Sequence, residues 1–145
     1  MLAMARATRP EDLLILLLSG GASALAEATP IPLDDIRRLH QMLLHASANI
    51  AEVNTVRRHL SNLKGGGLAL ACKGEILVIA ISDVEPDDIA SLGSGPASPD
   101  RTTYLDAIDV LGRHGLLESI PVTVRPEGHT AELQALTILV CRPLL

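Results

Sequence analysis

The chain has 145 residues, enough for one domain with a real core, and 48% hydrophobic content excludes a disordered polypeptide. Its net charge of −5, with one Tyr and no Phe or Trp, excludes the basic, base-stacking surface that a nucleic-acid partner needs. A core restricted to Leu, Ile, Val and Ala suits helices on a parallel sheet and not a sandwich built around a buried Trp.

Cys72 and Cys141 form no C-x-x-C pair, so neither a zinc site nor a disulfide framework is expected. Reduced thiols point to the cytoplasm. The apolar run Leu13–Leu18 is too short to span a bilayer, and MLAMARATRPED lacks a basic region ahead of an apolar core. Neither a membrane span nor a secretory signal is expected.

Residues 1–9 read as the end of a helix stopped by Pro10, with Glu11–Asp12 as a turn. Leu13–Leu18 (LLILLL) is continuously apolar, the pattern of a strand buried on both faces. It runs into Ser19-Gly20-Gly21-Ala22-Ser23 and then an Ala-rich helical segment, Ala22–Ala28. That order puts backbone N–H groups at a strand's carboxyl end, where a ligand can sit, although tight β–α turns need small residues in any case.

Thr29-Pro30-Ile31-Pro32 is a non-helical linker. Asp34 or Asp35 opens the next helix, with Ile36, Leu39, Leu43 and Ala46 at helical spacing. His40 and His45 lie five apart and share no face, so both read as surface side chains and not as metal ligands. Asn49 followed by Glu52 is an N-cap signature, and Ile50, Val53, Leu60 and Leu63 supply an apolar stripe.

The organising stretch is Asn54–Ala69, NTVRRHLSNLKGGGLA, which places Arg57, Arg58, His59 and Lys64 before Gly65, Gly66 and Gly67. Three glycines cost a helix about 1 kcal/mol each. They serve where backbone bends sharply or approaches closely, and their N–H groups can face an anion. The same residues also fit a glycine C-cap after a solvated basic helix end. Leu68–Ala71 restarts a helical turn, broken by Lys73-Gly74.

Glu75–Ile81 (EILVIAI) is a second buried-type strand, ending in Ser82-Asp83-Val84-Glu85-Pro86-Asp87-Asp88. Asp83, Asp87 and Asp88 are oxygen donors suited to Mg2+ or to a general base, while Asp87 and Asp88 also suit a helix cap. Ser91–Asp100 is a Gly/Pro loop. Thr102 or Thr103 caps a helix through Leu105, Ile108 and Leu111, closed by Gly115. Ile120–Leu133 has no period, and Leu136–Val140 is apolar. A P-loop, a dinucleotide fingerprint, G-x-S-x-G and H-E-x-x-H are all absent.

Taken together, LLILLLSGGASAL, NTVRRHLSNLKGGGLA, ISDVEPDD and SGPASPDRTT resemble the type II glycerate kinase family, the glycerate 2-kinases often called hydroxypyruvate reductases. The resemblance runs from Pro10 to Leu117. It implies a partial Rossmann-like three-layer α/β/α domain with a mainly parallel sheet over residues 1–120. The activity implied is ATP- and Mg2+-dependent phosphorylation of D-glycerate to 2-phosphoglycerate.

Carried over by position, Ser19, Gly20, Gly21, Ser23, Asn54, Gly65, Gly66 and Gly67 bind substrate or phosphate. Asp83, Lys64 and Arg57 are catalytic, and Asp83, Asp87 and Asp88 hold the metal. Gly95, Pro96, Pro99 and Asp100 match the next loop. Ala22 replaces a usual glycine, so its methyl is expected to narrow the approach of a phosphate. Glu85-Pro86 replaces the usual Pro-Gly.

Family members are longer, with a preceding Gly-Lys segment and a second domain. The expectation is therefore a truncated copy that does not turn over alone, with residues 121–145 as read-through. Its exposed sheet edges would favour self-association. The alternative is a non-enzymatic remnant or small-anion-binding module, and a third reading is an enzyme completed by a partner chain.

Overall fold

The computed structural model describes residues 1–81 and 90–124. The acidic stretch with Asp83, Asp87 and Asp88, and the apolar run Leu136–Val140, lie outside the described residues. The chain divides into two compact units, residues 1–28 with 61–100 and residues 29–60 with 101–145.

The first unit holds helix α1 (Leu2–Ala7), strand β1 (Leu13–Leu18), the short helices α2 (Ala22–Leu25) and α5 (Gly67–Ala71), and strand β2 (Glu75–Ala80). The two strands pair in parallel from Leu13↔Glu75 to Leu18↔Ala80. The α/β class with a parallel sheet is therefore observed. Gly74 admits no side chain, because a Cβ there would stand 2.2 Å from the Asp12 carbonyl oxygen. That close approach lets the Glu75 N–H donate to the same oxygen at 3.0 Å and sets the register.

One face of the pair is covered by its own unit. Leu16 and Leu18 are buried with Ala5, Leu63 and Leu68, and Leu14, Ile76, Val78 and Ala22 pack against them. The other face is not. Leu13, Ile15 and Leu17 on β1 and Leu77 and Ile79 on β2 are all exposed, Leu17 by 71%. The expectation of strands buried on both sides fails there, because the described residues of this unit pack on the other side only.

The second unit is helical, built from α3 (Leu33–His45), α4 (Ile50–His59) and α6 (Tyr104–Arg113). Its core is Ile31, Leu39, Leu43, Val53, Val56, Leu60, Ala107, Val110, Leu111, Ile120 and Val124. Two of the expected caps form, while α3 starts at Leu33 after Pro32, with Asp34 and Asp35 inside its first turn and no side-chain cap. The Asn49 side chain accepts from the Glu52 N–H, the Glu52 carboxylate accepts from the Asn49 N–H, and Thr103 with Asp106 repeats the arrangement. Of the expected apolar stripes, Val53, Leu60, Leu63 and Leu111 are buried, whereas Ile50 and Leu105 are exposed, and Val56, Ala107 and Val110 are buried beside them.

Glu52 ties α4 to α6, since Arg113 donates to Oε1 at 2.8 Å and His114 Nε2 lies 3.1 Å from Oε2. The Asn49 N–H, then His114, then the Arg113 charge hold its carboxyl below the usual carboxylate range.

Candidate functional site

The expected site residues fall into two groups. Ser19–Ser23 and Lys64–Gly67 belong to the first unit, whereas Asn54 and Arg57 stand on α4 in the second. His59 is engaged within its own unit, with Nε2 3.1 Å from Thr102 Oγ1 and its ring edge-on to Tyr104 at 6.5 Å. His45 is exposed, but His40 is half-buried, and its pKa is lowered by burial and by the charge of Arg57. Among the described residues no group of three or more His, Cys, Asp or Glu could hold a metal ion.

In the first unit, three loops converge near the carboxyl end of β1. Ser23 Oγ lies 2.6 Å from Ser94 Oγ. The Gly65 N–H donates to the Ser94 carbonyl at 3.0 Å, and the Gly66 N–H to the Gly95 carbonyl at 2.7 Å. The Leu68 N–H donates to the Pro96 carbonyl at 3.0 Å. These bonds fasten the Ser19–Ser23 turn and the Lys64–Gly67 corner to the Leu92–Pro96 loop, whose Leu92–Ser94 segment is a 3-10 turn.

The glycine corner itself is closed. Gly65 and Gly66 are buried, and the N–H groups of Gly65, Gly66 and Gly67 are engaged by Ser94, Gly95 and Lys64 carbonyls. An anion cradle of bare N–H groups, one of the two readings left open for these glycines, is not what forms. The glycines are required by close approach, because a Cβ on Gly67 would meet the Asn62 carbonyl oxygen at 2.3 Å.

Lys64 is 2% exposed, and its Nζ donates to the Ala26 carbonyl at 3.0 Å and pairs with the Glu27 carboxylate. Expected from the resemblance to be catalytic, it anchors the segment after α2 in this structure. The same contacts end α2 at Leu25, short of the expected Ala28. Ala26 turns extended so that its carbonyl meets Lys64, and the Ala28 carbonyl accepts from the Asn62 N–H at 2.6 Å.

The Ser-Gly-Gly turn is the open member. Ser19, Gly20 and Gly21 are exposed, and Gly21 adopts φ +79 with nothing within 4 Å of the place a Cβ would take. Ala22 does not narrow this turn as expected, because its methyl packs into the sheet core, 3.7 Å from the position of a Gly93 Cβ.

Two residues were missed from sequence. Ser94, fully buried, fastens all three loops, and the repeated glycines of Gly93-Ser94-Gly95 were its only signal. Glu27 partners Lys64 across 37 residues, marked in sequence only by a lone carboxylate in an otherwise small, apolar segment.

A parallel strand pair delivering an exposed Ser-Gly-Gly turn beside a rigid glycine corner defines a partial α/β domain. The chain belongs to the family described as Domain of unknown function (DUF4147), which matches residues 1–127. It is similar to a glycerate 2-kinase of Pyrococcus horikoshii, 40% identical over 126 residues, covering 86% of this chain and 29% of that protein. It is also similar to the glycerate kinase of Homo sapiens, 37% identical over 125 residues, covering 84% and 24%.

Among solved structures, a protein of Pyrococcus horikoshii OT3 superposes with a TM-score of 0.86 at 38% identity, over 92% of this chain and 31% of that one. The glycerate kinase of Thermotoga maritima does so with a TM-score of 0.80 at 36% identity, over 86% and 30%. The chain thus spans about a third or less of the length of the relatives it matches.

Proposed function

We propose that this chain is part of a glycerate 2-kinase, contributing the substrate- and phosphate-facing turn to ATP-dependent phosphorylation of D-glycerate at its 2-hydroxyl. The observation that carries the reading is the three-loop junction of Ser23, Ser94, Gly65 and Gly66, which holds an open Ser-Gly-Gly turn at a strand end. The names of the similar proteins supply the chemistry.

Phosphoryl transfer asks chiefly for positioning and neutralisation of charge. Ser19 offers a hydroxyl donor, Ser23 ties the turn to Ser94, and Gly20 and Gly21 offer backbone that a phosphate or carboxylate can approach without a side chain intervening. Lys64 acts by position: its buried ammonium holds Ala26 and Glu27 against the glycine corner, and so fixes the far end of the turn. The roles of Asn54 and of Arg57, a bidentate partner for the glycerate carboxylate, rest on the resemblance. So does Mg2+ held by Asp83, Asp87 and Asp88. ATP, when bound, supplies the phosphoryl group.

A water-excluding cleft with its full donor set is needed for turnover. The chain by itself is therefore expected to bind weakly and to release no ADP. The test is a coupled ADP-release assay with D-glycerate, ATP and Mg2+, run on the chain alone and again beside the remaining segments of a relative. Glycerate-dependent turnover only in the second case supports the reading. Turnover by the chain alone overturns its dependence on other segments, and no turnover in either case removes the kinase assignment.

A further inference from the structure

We propose that Ser94 is a positioning residue, kept as serine in a strained backbone so that its hydroxyl fixes, through Ser23, the exposed Ser19-Gly20-Gly21 turn. The inference rests on the proposed function only for what that turn faces. Gly93, Ser94 and Gly95 take left-handed conformations in succession, with φ of +59, +63 and +65. Glycine enters that region freely, whereas a Cβ there crowds the following carbonyl oxygen. A glycine at position 94 would complete the series without strain, yet the chain carries a serine.

A left-handed polar residue usually finds its compensation in a bond within its own loop. Ser94 finds it elsewhere, since its Oγ lies 2.6 Å from Ser23 Oγ, 71 residues away. Ser94 is fully buried, so this hydroxyl needs a partner inside the protein. Its main chain is engaged too: the N–H donates to the Ser91 carbonyl at 3.2 Å, and the carbonyl accepts from the Gly65 N–H at 3.0 Å. A glycine would keep both of those bonds. Only the tie to Ser23 requires the side chain, and a local rule broken for a distant contact points to function.

Helix α2 is what needs the tie. It has four residues, none of them buried, and no side-chain cap, so it is too short to hold itself in place. Its first N–H groups close the turn, Ala22 donating to the Ser19 carbonyl at 3.2 Å and Ala24 to the Gly21 carbonyl at 3.0 Å. Ser23 stands between these two donors. The Lys64 contacts grip only the far end, at Ala26 and Glu27.

The experiment compares Ser94→Gly and Ser94→Ala in the full 145-residue chain by amide hydrogen exchange and thermal melting. Both lose the hydroxyl, but only the alanine keeps the strain, so Ser94→Gly should melt higher. Both should nevertheless speed exchange at Ala22 and Ala24 at least tenfold. In Ser94→Gly the amides of Gly65, Gly66 and Leu68 should keep their protection, because their carbonyl partners remain. Ser23→Ala, which removes the other half of the pair, should reproduce that pattern. Turn amides as protected in Ser94→Gly as in the wild type overturn the proposal. So does protection lost equally at Gly65 and Leu68, or a glycine variant that fails to fold, since either makes Ser94 merely structural. In the coupled assay beside the remaining segments of a relative, both Ser94 variants should raise the KM for D-glycerate or ATP at least threefold, with a smaller change in kcat. A loosened turn with unchanged kinetics counts against the proposed function and leaves the positioning of the turn standing.

Discussion

Two glycine-rich turns look alike in the sequence, Ser19-Gly20-Gly21 and Gly65-Gly66-Gly67, and the fold puts them to opposite uses. The second is buried, its N–H groups engaged by carbonyls and Gly67 pressed against Asn62. The first is exposed, and Gly21 has open space around it. Glycine therefore serves as a packing device in one place and as an approach surface in the other. A ligand can use only the turn whose polar groups the fold has not already taken.

Substitutions should separate these uses, and the largest effect belongs to the closed corner. Gly67→Ala drives a methyl into a backbone carbonyl and should cost about 4 kcal/mol or prevent folding. A melt within two degrees of wild type would sink the close-approach account.

Glu27→Gln leaves the Lys64 ammonium buried without its counter-charge and should cost about 3 kcal/mol in urea denaturation. Lys64→Met should cost less, about 2 kcal/mol, because Glu27 is partly exposed and can recover water. The reverse order would mean the pair is not the anchor described here.

Ser23→Ala strands the buried Ser94 hydroxyl and should cost about 1.5 kcal/mol, loosening the open turn. Gly21→Ala strains a left-handed residue by about 1 kcal/mol while touching no neighbour. Its distinguishing mark should be in binding. In the complete enzyme it should raise the KM for glycerate or ATP more than it lowers stability, and unchanged kinetics would remove the turn from the site.

The smallest effect lies away from both turns. Glu52 is held ionised by the Asn49 N–H and by His114 and Arg113, so its contribution is complete above the ordinary carboxylate pKa and is lost as pH falls through its depressed folded value. An acid titration of the wild type and Glu52→Gln should therefore converge at low pH. Curves that stay parallel would count against it.

Local features were readable before the fold was known. The Asn49–Glu52 cap, a cap at Thr102 or Thr103, the end of α1 before Pro10, and both strands follow from side chains within a few residues of the backbone they satisfy. The stripes of α4 and α6 held at Val53, Leu60, Leu63 and Leu111 and failed at their first members, because Ile50 and Leu105 are apolar yet unneeded by the core. The site was legible as a set of loops, but not in the state of each loop, since Ser94 and Glu27 act from 71 and 37 residues away.

The sequence by itself determined that LLILLL and most of EILVIAI would be strands, that glycines would gather at their ends, and that α4 and α6 would be capped by Asn49 and by Thr102 or Thr103. Those outcomes depend on local sterics and near-neighbour hydrogen bonds. Only the tertiary structure decided that Lys64 is buried against Glu27, that the Gly65–Gly67 corner is closed, and that Leu13, Ile15, Leu17, Leu77 and Ile79 are exposed. Each of these depends on which distant segment reaches a polar group or an apolar face first, and no local pattern encodes that competition.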